Sequence, residues 1–244
     1  MNNRLHYSIL TVILLGVFLN TSHAQEIRPR AVEAGFCAGA AIYWAESQTD
    51  AYESTGIKMG GYYGLNVDIN LVRTKKVVFF STGMLFKHIR FGMNYTDNYL
   101  LAKENELIEN ARITSAYNTI FFTIPTAVKL KTDPFSNFAI FGIAGLEHGF
   151  RIAAKSNDEI LRMDGSAEKA DKVKQSEKIG LFKESVFAVL GVEYTLFSHT
   201  KATFGIGYNY GLNSIFKRKY NNSITGERVI ANIHTVEFQL GFIF

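Results

Sequence analysis

Short segments in which apolar and polar residues alternate recur along this chain, and they restrict its fold more than any other feature. In Tyr63–Leu71 every second residue is apolar, and the residues between them include Asn66, Asp68 and Asn70. Successive side chains of a β-strand point to opposite faces of its sheet, so this alternation predicts strands with one apolar and one polar face. The same alternation is clear in Asn118–Leu130, Phe138–Ile152, Val186–Leu196, Ala202–Tyr210 and His234–Phe244, and weaker in Gly35–Trp44 and Lys76–Phe91. The sequence therefore predicts eight strands.

The connections between these eight segments alternate in length. The long, polar ones are Ala45–Ile57, Asn94–Ser115, Lys155–Glu184 and Asn213–Val229, and the short ones are Val72–Lys75, Thr132–Asn137 and Phe197–Thr200. Bacterial outer-membrane barrels have an even number of antiparallel strands, short periplasmic turns and longer outer loops. The pattern predicts an all-β, eight-stranded, antiparallel up-and-down transmembrane β-barrel with four long outer loops and three short periplasmic turns.

The polar faces of the predicted strands decide between a membrane barrel and a soluble one. They carry six ionisable residues, which are Asp68, Lys129, Glu147, Arg151, Glu193 and Glu237. A soluble lipocalin-like barrel would direct these residues to water and would have to bury eight rows of large apolar side chains in a narrow interior. We therefore expect the apolar face to contact outer-membrane lipid and the six charged residues to form a lumen network. Mutual neutralisation is the favoured role of this network, and a proton or ion path is the alternative.

The first residues have the features of a secretory signal peptide. Arg4 is followed by an apolar run of twelve residues, Ser8–Leu19, and by Ser22-His23-Ala24, which fit a cleavage site before Gln25. A signal anchor is the alternative, but a membrane helix needs about 20 residues. We predict a cleaved signal peptide at 1–24 and a barrel domain at 25–244, located in the cell outer membrane.

Composition and motifs exclude several other functions. A formal charge of +4 is too small to indicate nucleic-acid binding, and a single cysteine excludes a disulfide framework and a multi-cysteine zinc site. The chain has no phosphate-binding P-loop, no H-E-x-x-H and no EF-hand motif. The sequence predicts no catalytic, cofactor-binding or metal site, and we expect no enzymatic activity.

Two segments carry more specific expectations. Pro125 cannot donate a hydrogen bond within its strand, so we expect a bulge or a local irregularity there. The longest connection, Lys155–Glu184, has charges of both signs and is compatible with a short amphipathic helix. It would be either a solvated lid or a surface on which another protein docks.

Several strand sequences resemble a known family. They are TIPTAVKLK (Thr123–Lys131), FAIFGIAG (Phe138–Gly145), VLGVEYTLF (Val189–Phe197), YNYGLNSIF (Tyr208–Phe216) and the final VEFQLGFIF. In these segments the chain is similar to the small outer-membrane β-barrel family of Bacteroidetes, and most of all to its type IX secretion members. The final strand, with Phe238, Phe242 and Phe244, resembles the C-terminal signal that the barrel-assembly machinery reads.

The resemblance implies a non-enzymatic part of an export machine. Such a barrel is required for moving cargo with a C-terminal sorting domain, including proteases and adhesins, to the cell surface. The implied partners are other secretion-system proteins, bound through the loops, and the assembly machinery during biogenesis. Two alternatives remain open, a structural or adhesive barrel and, less favoured, a lipid-A-modifying enzyme that would use one of the histidines.

Overall fold

The computed structural model describes residues 31–72, 77–101, 106–197 and 200–244, and these form ten β-strands. The strands are β1 (Val32–Ser47), β2 (Tyr52–Ser54), β3 (Lys58–Asn70), β4 (Val78–Leu101), β5 (Glu106–Lys131), β6 (Phe138–Leu161), β7 (Ala167–Lys174), β8 (Phe182–Thr195), β9 (Lys201–Gly211) and β10 (Ala231–Ile243). Each of the eight predicted segments lies wholly or almost wholly within one of these strands. The predicted signal peptide, and parts of the turns at Val72–Lys75 and Phe197–Thr200, lie outside the described residues.

Eight of the ten strands close into a ring. Every neighbouring pair is antiparallel, the order is β1-β3-β4-β5-β6-β8-β9-β10, and β10 pairs with β1. The short strands β2 and β7 lie outside the ring and pair with β4 and β6. The predicted up-and-down barrel of eight strands is confirmed. We call the end with the short connections the turn end and the opposite end the loop end.

The register of the ring fixes its tilt and its width. A row of paired residues that starts at Ala34 returns to β1 at Trp44, so the shear is 44 − 34 = 10 residues. The row runs through Val67, Thr82, Thr126, Leu146, Val186, Tyr210 and His234. For eight strands this shear gives a tilt of about 41° and a backbone radius of about 8 Å, using spacings of about 3.3 and 4.8 Å. A ring of this radius has room for side chains and little else.

The two faces of the ring differ as the alternation predicts. The outer wall exposes large apolar side chains, among them Phe36, Leu190, Leu240 and Phe242, which are 51–68% exposed. Charged side chains of the opposite face are buried in the lumen, including Asp68 and Lys129. An apolar wall around a polar interior is the arrangement of membrane barrels, and it contradicts the soluble alternative. In the described part of the chain, no helix is long and apolar enough to cross a membrane.

The long connections contain more strand than the sequence indicated. Strands β4, β5 and β6 have 24, 26 and 24 residues, whereas about 9–11 suffice to cross a membrane. Much of the expected loops Asn94–Ser115 and Lys155–Glu184 is therefore sheet that continues beyond the ring. The amphipathic helix considered for the second of these was wrong, because the segment forms the end of β6 and the strand β7.

Pro125 interrupts the sheet without shifting it. The pairs between β4 and β5 stop at Thr82↔Thr126 and resume in the same register at Leu85↔Thr123. The hydroxyl of Thr82 donates to the carbonyl oxygen of Pro125 at 2.8 Å. This hydrogen bond satisfies the carbonyl next to the missing pairs, so the irregularity needs no bulge.

Candidate functional site

The turn end of the lumen holds six charged side chains, which we call the turn-end cluster: Glu33, Asp68, Lys129, Lys131, Glu193 and Lys201. Lys129 Nζ lies 2.7 Å from both Asp68 Oδ2 and Glu193 Oε1. Lys131 Nζ lies 2.8 Å from Glu193 Oε2 and 3.3 Å from Glu33 Oε2. Lys201 Nζ lies 2.7 Å from Glu33 Oε1. Three lysines face three carboxylates, so the cluster carries no formal net charge.

A second group of charges, the central cluster, lies nearer the loop end. Lys87 Nζ is 2.7 Å from both Glu147 Oε1 and Glu237 Oε1, and all three side chains are nearly inaccessible to solvent. The amide of Asn209 donates to Glu147 Oε2 at 2.6 Å. The buried Lys183 interacts electrostatically with both carboxylates, and its ammonium donates to Ser185 Oγ at 3.1 Å. Two lysines again balance two glutamates.

The space between the two clusters is small. A cavity of about 60 Å³, lined by Asp68, Lys129, Glu147 and Glu237, remains there. A space of this size holds only a few water molecules. The clusters therefore fill the lumen as a network of ion pairs.

An apolar plug closes the lumen above the central cluster. Phe91 and Tyr117 stack with their ring centroids 4.7 Å apart. Phe216, from the connection between β9 and β10, meets both rings edge-on at 6.2 and 5.7 Å. Two further connection residues, Ile179 and Ile215, are fully buried in the same core. Two long connections thus fold inward and seal the loop end.

Five of the six residues predicted for the lumen network belong to the two clusters, and Arg151 does not. Its guanidinium donates to the carbonyl oxygens of Ser176, at 3.0 Å, and Ile179. Arg151 therefore holds a connection over the lumen instead of pairing with a carboxylate. Five further lumen residues were not predicted from the sequence: Glu33, Lys87, Lys131, Lys183 and Lys201. Four of them lie just beyond the ends of the predicted segments. The fifth, Lys87, lies inside the predicted segment Lys76–Phe91, where the alternation of apolar and polar residues is weak.

Beyond the ring, the continuing parts of β4, β5 and β6 form, with β7, a structure that we call the outer sheet. Arg162 joins its two hairpins, since its guanidinium donates to both carboxylate oxygens of Glu106, at 2.7 and 2.9 Å, and to Glu168. The paired guanidinium lowers the pKa of the Glu106 carboxyl. Four apolar side chains near the tips are 42–83% exposed, and they are Leu100, Leu107, Leu161 and Met163. The expected docking segment is therefore a braced sheet with exposed apolar residues at its tips.

The histidines bear on the enzyme alternative. His148 Nδ1 lies 2.6 Å from Glu184, while His234 lies 2.7 Å from Glu46 and 3.0 Å from the Tyr208 hydroxyl. In the described part of the chain their side chains thus pair with acids and a phenol, and neither bonds to a serine. Trp44 stacks on His234 at 5.6 Å, as expected in an aromatic belt at a membrane interface.

Cys37 and the phenylalanines of the final strand lie on opposite faces of the barrel wall. Cys37 is buried on the lumen side of β1. Phe238, Phe242 and Phe244 are 39–51% exposed on the outer wall, at and near the end of β10. Among the described residues no group of acids, histidines and cysteine is arranged to hold a metal ion.

Three solved structures among those similar to this chain are small membrane barrels. Neisserial surface protein A is 13% identical over 88% of this chain and 96% of its own, with a TM-score of 0.44. The attachment invasion locus protein Ail of Yersinia pestis, in complex with the heparin analogue sucrose octasulfate, is 11% identical over 88% and 100%, with a TM-score of 0.37. The N-terminal β-barrel domain of Pseudomonas aeruginosa OprF is 11% identical over 88% and 98%, with a TM-score of 0.37.

The sequence comparisons give one family match. No curated protein matches the chain significantly. A family model described as "Outer membrane protein beta-barrel domain" matches residues 23–217, which is most of the chain.

Proposed function

The chain belongs to the outer membrane protein β-barrel domain family and is a protein of the cell outer membrane, and from that premise we propose that it is a non-enzymatic, PorT-like component of type IX secretion. In this role it would help cargo with a C-terminal sorting domain, such as proteases and adhesins, to reach the cell surface. The observation that carries the proposal is a sealed lumen beneath a braced outer sheet.

The sealed lumen supports a helper role over a transport role. Two neutral clusters occupy the lumen, and Phe91, Tyr117 and Phe216 close it above them. An eight-stranded barrel is too narrow for a polypeptide even when it is empty. Cargo would therefore pass through another protein, and this barrel would act on that protein from the side.

The outer sheet supports partner binding. Exposed large apolar side chains that cluster on a rigid surface mark sites of association. Leu107 and Met163, near the tips of the two hairpins, are 56% and 83% exposed, and Arg162 braces the strands beneath them. We place the contact with other secretion components at these tips.

The choice of type IX secretion rests on the similarity of the strand sequences to that family, in particular the segment Thr123–Lys131 and the final strand. The final strand, with Phe238, Phe242 and Phe244 facing lipid, also suits recognition by the barrel-assembly machinery.

The test is a deletion strain complemented with variants. We expect deletion to leave sorting-domain cargo unprocessed inside the cell, and the wild-type gene to restore its surface display. Leu107→Glu with Met163→Glu should fail to restore display, although the barrel is present and heat-modifiable on a gel. Leu181→Glu is the matched control, because Leu181 is also exposed on an outer connection, and its carbonyl accepts from Arg151 N, ten residues before Leu161.

Each alternative gives a different result. Normal cargo export in the deletion strain would exclude the secretion role, and a loss of attachment alone would favour an adhesive barrel. A changed lipid A mass spectrum would favour the enzyme. Full complementation by the Leu107 and Met163 double variant would remove the tips as the docking surface.

A further inference from the structure

The outer wall of the barrel carries an open groove of about 820 Å³ across β1 and β3. Its floor consists of small residues, Ala38, Ala40 and Gly61, where neighbouring strands carry large ones. Phe238 and Leu240 of β10 form one side, and Met59 and Tyr63 of β3 form the other. All four side chains are 39–66% exposed, so the groove opens onto the surface that contacts lipid.

Basic side chains stand at the end of the groove that lies toward the loop end. His88 and Arg90 of β4 line it there. Lys58 lies beside them, because its Cε is 3.2 Å from the position that a Cβ on Gly92 would occupy, two residues beyond Arg90. None of the ion pairs within the described part of the chain includes Arg90 or Lys58. The groove therefore ends at positive charge that has no carboxylate partner there.

The length and direction of the groove match one membrane leaflet. A paired row leads from Phe204 through Leu240, Ala38 and Tyr63 to Phe86, and Arg90 lies four residues farther along β4. Four strand spacings and four residues give about 19 Å across the strands and about 13 Å along them. Because the strands are tilted, both of these displacements lead toward the loop end. Together they advance about 22 Å along the barrel axis. Half of a bilayer, including its headgroups, is about 20–22 Å thick.

We propose that this groove binds a phosphorylated lipid of the outer leaflet, with an acyl chain over Ala38, Ala40 and Gly61 and a phosphate at Arg90, Lys58 and His88. Charged donors make the strongest hydrogen bonds to phosphate, and arginine suits its geometry. A protein strand is a poorer occupant, because the closed ring offers no free edge with which to pair. The proposal rests on the outer-membrane barrel and is independent of any role in secretion.

The test is native mass spectrometry of the purified full barrel with three probes: diphosphorylated lipid A, the same lipid dephosphorylated, and inorganic phosphate. The wild type should retain the diphosphorylated lipid about tenfold better than the dephosphorylated one, and it should not retain inorganic phosphate. Arg90→Gln with Lys58→Gln should abolish this preference, a tenfold loss that corresponds to about 1.4 kcal/mol. Ala40→Phe should weaken both lipids alike, because it fills the floor of the groove.

Matched controls separate this site from general detergent-like binding. Arg112→Gln removes an exposed arginine of the outer sheet, and Ala188→Phe adds the same ring to the wall at β8. Both should bind lipid as the wild type does, and heat-modifiable mobility should show that every variant is folded. Should Ala40→Phe not fold, Ala40→Leu replaces it.

Three results would overturn the proposal. The first is that the wild type and the Arg90/Lys58 variant retain each of the two lipids to the same extent. The second is binding of inorganic phosphate alone, which would indicate a site for the free ion. The third is a polypeptide that co-purifies with the barrel and is lost in the groove variants, which would make the groove a protein-docking surface.

Discussion

Replacing Lys87 with methionine should destabilise the barrel strongly. The Lys87 ammonium is 2.7 Å from each of two carboxylates, and the side chains of Lys87, Glu147 and Glu237 are 3%, 4% and 11% exposed. The variant leaves two buried negative charges with only Asn209 and the nearby Lys183 to compensate them. Removing one partner from a buried ion pair typically costs about 3–5 kcal/mol, and we expect the free energy of unfolding to fall by that amount.

A compensated variant distinguishes lost charge balance from lost packing. Lys87→Met and Lys183→Met combined with Glu147→Gln and Glu237→Gln removes all four charges of the central cluster and keeps nearly the same volume. Neutral replacement of a buried ionic group is often close to neutral for stability, so the net loss should be below about 2 kcal/mol. The exposed Lys155→Met is the matched single control, and it should change stability by less than about 0.5 kcal/mol.

Urea unfolding of the barrel in phospholipid vesicles, followed by gel mobility and tryptophan fluorescence, measures these differences; the single tryptophan, Trp44, lies in β1. If Lys87→Met costs no more than Lys155→Met, the central cluster does not depend on its ion pairs. If the quadruple variant is as unstable as the single one, the loss comes from packing and the electrostatic reasoning is refuted.

Three further outcomes follow from the structure. Arg162→Gln should speed proteinase K cleavage of the outer sheet without lowering the melting temperature of the barrel. Because Arg162 lowers the pKa of Glu106, the outer sheet of the wild type should resist proteinase K at neutral pH. This resistance should weaken as the pH falls below about 4.5, the ordinary glutamate value. Cleavage that does not depend on pH would contradict this. Phe216→Ala should cost about 3–5 kcal/mol, since it empties a buried aromatic position, yet planar-bilayer recordings should show no conductance because the clusters below still fill the lumen. Cys37 should react with maleimide only after unfolding, and rapid labelling of the folded barrel would place it outside the lumen.

The parts of the fold that depend on local alternation could be predicted from the sequence. Asp68, Lys129 and Glu193 each lie between outward apolar neighbours, so their inward orientation followed from strand geometry alone. Their pairing could not be predicted in this way. Lys129 and Asp68 are 61 positions apart, and the register of the closed ring, which brings them together, depends on all eight strands.

The outer sheet and the plug were not predicted, for two physical reasons. On β5 the alternation breaks at Asn110, which has a φ of 51° and lies where the register with β4 shifts. On β4 the alternation of burial continues, but the buried face carries the polar Asp97 and the apolar pattern is lost. A period-two search therefore ends these strands too early. The plug depends on Ile179, Ile215 and Phe216, which look like ordinary loop residues until the ring provides the cavity that they fill.

Formal charge is distributed differently in the closed lumen and on the two outward surfaces, which are the outer sheet and the groove. Five lysines and five carboxylates occupy the two clusters, and 5 − 5 = 0, so the lumen contributes nothing to the formal charge of +4. The excess is carried by the other charged residues of the sequence, which number 26 − 5 = 21 basic and 22 − 5 = 17 acidic. A buried neutral network is costly to disturb, whereas exposed cations near a membrane attract anionic headgroups at little cost to the fold. Selection can therefore change the outer sheet and the groove while the filled barrel stays the same, and this is why we assign function to the outer surface and stability to the lumen.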